Sequence, residues 1–236
     1  MPIEYPQRQD RASATAKGRL GSTQSGSWRF ALSCLGIYIG CWLLAAVEPY
    51  HRRDWLLENL LVFIAVPYVV FQQWKRPFRP ATNVSLLLFL CLHAVGAHFT
   101  YSEVPYDAWA QKLAGYRITD LFGWDRNHFD RLVHLAYGVL VFPAARELYA
   151  RRAVASELTL TLIATQFIVA TSAAYELIEW GAVLVVDQDL GMAYLGIQGD
   201  VWDAHKDVLL ASAGALISAV GASVRHATSA HSRSSD

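Results

Sequence analysis

The sequence predicts an all-α fold, a polytopic membrane helix bundle of about six transmembrane helices with both termini cytoplasmic. Of the 236 residues, 54% are hydrophobic and only 17% are charged, and the mean hydropathy is +0.24. That composition is too apolar for a water-soluble domain. The apolar residues also fall into separate runs, most of them near the ~20 residues that cross a ~30 Å hydrocarbon layer as a helix.

The six apolar runs are residues 30–47, 55–74, 84–99, 132–148, 158–186 and 208–224. The first run is longer than the core of a signal peptide and lacks a good small-x-small cleavage site, which favours an uncleaved membrane helix. The fifth run is the longest, and it carries Glu176 and Glu179 in its last third. Its boundaries, and those of the short third run, are the least defined by the pattern.

The segments that flank the apolar runs are polar. Residues 1–27 are rich in Ser, Arg, Gln and Gly, a composition that cannot bury a core. We expect disordered cytoplasmic tails at residues 1–27 and 226–236. Residues 28–225 then form a single membrane-embedded helical domain.

Basic residues predict the orientation of the bundle. If the N-terminus is cytoplasmic, 13 Lys and Arg residues lie on the inner side and 7 on the outer side, which together make the 20 in the chain. The positive-inside rule favours this orientation. The connections at residues 100–131 and 187–207 are then outside. The first interleaves aromatic and charged residues, which is typical of amphipathic segments at the headgroup level.

Several function classes are disfavoured by composition and by missing motifs. The formal net charge is zero and the pI is about 7.1, so no basic surface for nucleic acid is expected. Cys34, Cys41 and Cys91 lie in apolar runs without a CxxC pattern, which indicates packing residues. The chain has no HExxH, P-loop, GxSxG or GxGxxG motif. The lipid bilayer is the expected partner, and the sequence leaves the oligomeric state open.

Polar residues cluster at the predicted outer ends of the helices. Asp130 and His134 are spaced i and i+4, and Glu176 and Glu179 are spaced i and i+3, so each pair shares a helix face. Carboxylates with an imidazole are the ligands of Mn, Fe, Zn or Mg sites, and the same groups serve as general acid and base. Charges at membrane depth are costly and mark functional sites when several converge.

We therefore predict a polar pocket at the outer leaflet. The candidate catalytic residues are Asp130, His134, Glu176, Glu179, Asp200 and Asp203. The candidate ligands of a divalent metal are His134, Glu179, Asp200 and Asp203. The supporting residues are Glu58, His98, Arg126, Asn127, Arg131, Gln198 and Asp207.

A structural interpretation stands beside the functional one. Aspartates at helix starts cap exposed N–H groups and meet the positive end of the helix dipole. Arg126, Arg131 and Lys206 can also form interfacial ion pairs with Glu176 or Glu179.

Four strings carry a resemblance to a known family: HFTYSEVP (98–105), RNHFDRLVH (126–134), YELIEW (175–180) and LGIQGDVWDAHKD (195–207). In this order and between apolar helices, they resemble the YjdF-like family of bacterial inner-membrane proteins. The resemblance covers about residues 30–224. It implies a location in the inner membrane, and no particular activity.

A second likeness is to VanZ-like membrane proteins, which are linked to reduced glycopeptide susceptibility. Their pattern has D[KR]xxH at the start of one helix, a Glu near the end of the next, and DxxD…G leading into the last. The matching residues here are Asp130, Arg131 and His134, then Glu176 or Glu179, then Asp200, Asp203, Asp207 and Gly214. This chain has Ala211 and Ser212 where VanZ-like chains often carry an Asn.

Three functions remain open from the sequence. The first is a pocket that binds a divalent metal, a cationic group or a lipid or envelope headgroup, with hydrolysis or transfer of that headgroup as an added step. The second is a small transporter or proton-coupled carrier that uses the same acids as a relay. The third is a non-catalytic scaffold in which the acids only form ion pairs.

The predicted orientation can be tested by cysteine labelling. In a Cys-free background, Ser102→Cys should react with a membrane-impermeant maleimide added to intact cells, because residues 100–131 are expected outside. Labelling of this cysteine only after the inner face has been opened would overturn both the orientation and the outer pocket.

Overall fold

The computed structural model describes residues 28–152, 155–185 and 198–234, with side chains described as far as Val224. This part of the chain is helical and contains no strand. The predicted tail at 1–27 and most of the connection at 187–207 lie outside the described residues. The helices are α1 (Trp28–Ala45), α2 (Arg52–Glu58), α3 (Val62–Lys75), α4 (Pro80–His98), α5 (Tyr106–Ala114), α6 (Ile118–Phe122), α7 (Phe129–Ala150), α8 (Glu157–Val183) and α9 (Asp203–Ser234).

Within the described residues, five helical segments are long and apolar enough to cross a membrane: Trp28–Ala45, Arg52–Lys75, Pro80–His98, Glu157–Val183 and Asp203–Val224. They correspond to five of the six predicted spans. The sixth predicted span, at 132–148, is part of α7. With 22 residues, α7 is about 33 Å long and has the length to cross, but charged residues occupy both of its ends.

α7 is the central helix of the bundle. Its backbone packs closely on α4, α8 and α9. The largest buried apolar cluster joins α7, α8 and α9. Its buried members are Phe142, Ala145, Ala164, Ile168, Ala211, Ala215 and Ala219. The alanines let α9 approach its neighbours closely, which is typical of helix packing in membranes.

The closest helix contact is the crossing of α7 and α9 at two glycines. A Cβ atom added at Gly138 would lie 2.1 Å from the Ala211 carbonyl oxygen, and one added at Gly214 would lie 2.3 Å from the Leu135 carbonyl oxygen. Only glycine fits on either side. Across the same interface, the Ser218 hydroxyl donates to the Val139 carbonyl at 2.7 Å.

The opposite end of the bundle is held by Glu147 of α7. Its carboxylate accepts hydrogen bonds from the Thr82 hydroxyl at 2.9 Å and from the Arg79 backbone N–H at 3.3 Å. It also forms an ion pair of 2.7 Å with Arg151. Glu147 therefore ties the start of α4 to the end of α7.

The aromatic connection at residues 100–131 folds into α5 and α6, as short helical segments. Trp109, Leu113 and Phe122 are exposed there. Asp107 of α5 accepts hydrogen bonds from the Thr119 backbone N–H and hydroxyl of α6, at 3.0 and 2.6 Å. Partial burial alone would raise the pKa of Asp107, but these hydrogen bonds from Thr119 outweigh it and hold the pKa below its usual value.

The domain boundary predicted at residue 225 falls inside α9, which continues to Ser234. The reason is local, because no Gly or Pro follows Gly221 to end the helix.

The close crossing predicts a large effect of a single methyl group. Gly138→Ala should push α7 and α9 apart and cost about 1 to 3 kcal/mol of unfolding free energy, because a backbone contact cannot relax as a side chain does. Gly36→Ala is the matched control, since nothing lies within 4 Å of a Cβ atom at that position. Thermal unfolding of the two variants in one detergent measures the difference. Equal midpoints would contradict the assigned crossing.

Candidate functional site

Acidic side chains from three helices surround His134 of α7. Its Nε2 lies 3.4 Å from Oδ1 of Asp130, one turn earlier, and 3.3 Å from Oε1 of Glu176 on α8. On its other side, Nδ1 lies 3.5 Å from the Ser172 hydroxyl, also on α8. His134 is buried, with 8% of its surface exposed. Two carboxylates therefore contact one nitrogen of the imidazole, and α8 supplies one contact to each of its two nitrogens.

Asp207 of α9 completes this group. One ligand atom each from Asp130, His134 and Asp207 lie within 4.8 Å of one another, and these three form the candidate metal-ligand set among the residues that the structure describes. Asp207 is 2% exposed, and its Oδ1 has no hydrogen-bond partner. A buried carboxylate oxygen without a donor is costly, and a bound cation is one way to offset that cost. We call Asp130, His134, Glu176 and Asp207 the acid–histidine group.

Two further acids lie beside the group. Glu58 of α2 is 4% exposed and accepts a hydrogen bond of 3.0 Å from the Tyr175 hydroxyl of α8. Glu179 interacts with Glu176, Asp130 and Glu58 through their charges, and with Tyr175 through a hydrogen bond. Both predicted glutamates of α8 therefore face the group and not the lipid.

A layer of ion pairs lies beside the group and joins residues 126–131 to residues 200–206. Arg126 binds Asp203 through two contacts, of 2.5 and 3.2 Å. Arg131 pairs with Asp200, and it also lies 3.3 Å from Asp203. Lys206 lies 2.5 Å from Asp200. The sequence interpretation paired these cations with Glu176 or Glu179, whereas the structure pairs them with the two aspartates.

The hydrogen bond from Lys206, with those from the Trp202 backbone N–H and Arg131, holds the pKa of Asp200 well below its usual range. The stabilising contribution of this carboxylate is complete above the ordinary aspartate pKa of about 3.9, and it is lost only as the pH falls through the lower value of the folded protein. The ion pairs of Asp200 thus persist through mild acidification.

Reciprocal hydrogen bonds join Asn127 and Gln198 beside this layer. The Asn127 backbone N–H donates to Gln198 Oε1 at 3.0 Å, and Gln198 Nε2 donates back to the Asn127 carbonyl at 3.2 Å. The Asn127 side chain accepts from the Phe129 backbone N–H at 2.9 Å, which caps the start of α7. These contacts position the turn that presents Asp130.

The structure thus divides the predicted site residues into two sets. Asp130, His134, Glu176 and Glu179 meet, together with Glu58 and Asp207, which the sequence had ranked as supporting. Asp200 and Asp203 use their carboxylates in ion pairs with arginine, so their role as metal ligands stays a prediction. His98 lies apart, and its Nδ1 contacts the Ala45 carbonyl at 2.9 Å.

Sequence reasoning missed Ser172 and Tyr175, which contact His134 and Glu58. Their spacing held a usable signal, because Ser172, Tyr175, Glu176 and Glu179 recur at three- and four-residue intervals on α8. Serine and tyrosine are common in packed helices, so this signal alone would not have been specific.

A cavity of about 220 Å³ adjoins the group between α3, α4, α7 and α8. Its polar lining comes mostly from α7 and α8 and includes Asp130, His134, Tyr137, Thr171, Ser172 and Tyr175, with His93 and Tyr101 beside them. The rest is mostly apolar, with Val62, Ala65, Phe89, Leu90 and Val133 in its walls. The acid–histidine group is therefore reachable from an apolar space within the bundle.

Comparison with known proteins agrees with this architecture. Residues 30–228 match the family model described as predicted membrane protein, DUF2238. The chain belongs to this family. It is also 30% identical over 190 residues to the inner membrane protein YjdF of Escherichia coli strain K12, which covers 80% of this chain and 84% of that protein. No solved structure matches the chain.

These matches confirm the YjdF-like resemblance predicted from the four sequence strings. With the apolar helices, they establish a multi-pass protein of the bacterial inner membrane. The likeness to VanZ-like proteins stays an interpretation of the sequence.

Two aspartates one turn apart on α9 should respond oppositely to neutralisation. Asp203→Asn should cost about 3 to 5 kcal/mol, because it leaves Arg126 buried without its carboxylate. Asp207→Asn should preserve or raise stability in chelator-treated protein, because it removes one of several mutually repelling carboxylates. The two residues are 3% and 2% exposed, so burial is matched.

Thermal unfolding in detergent with EDTA, followed by tryptophan fluorescence, gives the sign of each change. Destabilisation of similar size in both variants would favour the scaffold interpretation, in which Asp207 is only a structural partner.

Proposed function

We propose that this protein binds a divalent metal ion at the acid–histidine group, within its membrane domain at the outer leaflet. The observation that carries the proposal is the buried carboxylate of Asp207, whose Oδ1 has no hydrogen-bond donor and which offers a ligand atom within 4.8 Å of those of Asp130 and His134. A metal ion would satisfy that atom and draw the three side chains together.

The charge balance around His134 supports a cation. Asp130, Glu176 and Asp207 bring three carboxylates to one imidazole, and Glu58 and Glu179 lie next to them. The nearby guanidinium groups bind Asp200 and Asp203 instead. Charges at close range interact strongly in a medium of low dielectric constant, so a divalent ion would offset the mutual repulsion of the carboxylates.

The donor set suits the metals expected from the sequence. Two carboxylates and one imidazole are compatible with Mn, Fe or Zn, and Glu176 lies close enough to act as a fourth ligand or as a base. A metal with an open coordination position lowers the pKa of a bound water and polarises a phosphoryl or carbonyl oxygen. Hydrolysis or transfer of a lipid or envelope headgroup is the reaction class that we propose for such a site.

The distribution of charge gives less support to a proton-coupled carrier. Between Val208 and Val224, α9 contains no charged residue, and α7 contains none between Leu135 and Ala145. These uncharged stretches of α7 and α9 pack on each other through alanines and the Gly138–Gly214 crossing, which leaves little room for a polar path between them.

Metal analysis of the purified protein tests the proposal. After EDTA treatment, reconstitution with Mn²⁺ or Zn²⁺ and removal of excess ion, the wild-type protein should retain about one equivalent by elemental analysis. Asp207→Asn and His134→Gln should lose most of it. Asp200→Asn should retain it, because that carboxylate binds Arg131 and Lys206.

Retention of metal by both Asp207→Asn and His134→Gln, or no retention by the folded wild-type protein, would contradict the proposal. Loss of metal in a folded Asp200→Asn variant would return Asp200 to the ligand set that the sequence suggested.

A further inference from the structure

The 220 Å³ cavity beside the acid–histidine group is mostly polar on its α7 and α8 side and mostly apolar on its α3 and α4 side. Its polar side includes Asp130 and His134, two of the three proposed metal ligands. Its apolar walls come from α3 and α4. A ligand that fills it would meet the metal site with one end and hydrocarbon with the other.

The α3 wall of the cavity lies at the side of the bundle. Ala65 lines the cavity and is itself exposed, and its neighbour Ile64 is 64% exposed on the outer surface of the same helix. α7 packs closely on α4, α8 and α9, but α3 makes no comparably close backbone packing with any of them. Since α3 belongs to the apolar segment Arg52–Lys75, this side of the bundle faces lipid.

We propose that the cavity admits, from the bilayer, an amphiphile that carries a phosphate group. Its phosphate oxygen binds the metal held by Asp130, His134 and Asp207, and the first part of its hydrocarbon chain lies against Val62, Ala65 and Leu90. This inference rests on the proposed metal site and adds the substrate class to it.

The chemistry on the two sides selects this class. A hard divalent cation with open positions prefers oxygen ligands, and phosphate is the strongest such donor among lipid headgroups. Hydrocarbon walls give no hydrogen bonds to a soluble phosphate, so they favour a ligand with an apolar chain.

The size of the cavity is consistent with a part of a lipid. A dry cavity of about 150 Å³ holds a benzene molecule, and pockets for whole drug-sized ligands measure roughly 300 to 1,000 Å³. A space of about 220 Å³ therefore accommodates a short stretch of chain next to the headgroup, while the rest of the chain stays in the bilayer.

The test compares three ligands on Mn²⁺-loaded protein by native mass spectrometry from detergent micelles. Phosphatidic acid has both the phosphate and the chains, glycerol 3-phosphate has only the phosphate, and diacylglycerol has only the chains. Wild-type protein should bind phosphatidic acid about tenfold or more tighter than glycerol 3-phosphate, the effect of burying roughly two methylene groups. It should also bind phosphatidic acid more tightly than diacylglycerol, which lacks the phosphate for the metal. Chelation should remove that preference over diacylglycerol.

Matched variants on α3 test where the hydrocarbon chain of the lipid binds. Ala65→Phe fills the cavity and should weaken phosphatidic acid binding about tenfold, with Mn²⁺ stoichiometry and glycerol 3-phosphate binding unchanged. Ile64→Phe places the same ring one residue away on the outer surface and should change none of these. If Ala65→Phe also loses Mn²⁺, Leu90→Phe makes the same obstruction from α4.

The outcomes separate the two proposals. Wild-type protein that binds no Mn²⁺ contradicts the metal site. Protein that binds Mn²⁺ but prefers phosphatidic acid over neither partial ligand overturns the amphiphile, as does unchanged phosphatidic acid binding in folded Ala65→Phe and Leu90→Phe.

Discussion

The backbone contact between α7 and α9 is the constraint on which the rest of the structure depends. Gly138 and Gly214 let the two helices approach until the carbonyl of one lies where a side chain would otherwise begin. His134 lies one turn from Gly138, and Asp207 lies two turns from Gly214. The same approach that closes the interface therefore also brings the imidazole and the carboxylate together, and a wider crossing would separate them.

A second constraint follows, because this crossing buries more acid than base. Some of these buried acids are paired with arginine, and others are not. Asp203 and Asp200 bind the guanidinium groups of Arg126 and Arg131 and form a neutralised layer. Asp207, one turn deeper on α9, receives no donor at Oδ1. Breaking a buried ion pair destabilises the fold, whereas the cost of burying an unpaired acid can be offset by a bound cation, which is the physical basis of the proposed metal site.

The sequence predicted the helical membrane fold and the convergence of acids, because run length and i, i+4 spacing suffice for both. Asp200, Asp203 and Asp207 all have the spacing of one helical face, so spacing could not tell which of them faces His134. On the sequence alone, Asp207 ranked below the other two. The assignment of each to arginine or to His134 depends on the rotation of α9 against α7, which is set by small residues such as Gly138 and Ala211. Spacing within one helix does not report that rotation.

The central claim is that His134 and its carboxylates hold a metal ion, and pulsed electron paramagnetic resonance of the Mn²⁺-loaded protein tests it most directly. Electron spin echo modulation detects a nitrogen nucleus bound to manganese. Coordination of Mn²⁺ by His134 predicts a ¹⁴N modulation in the wild-type protein that is absent in His134→Gln. Bound Mn²⁺ without nitrogen modulation, or with a modulation that persists in His134→Gln, would contradict it.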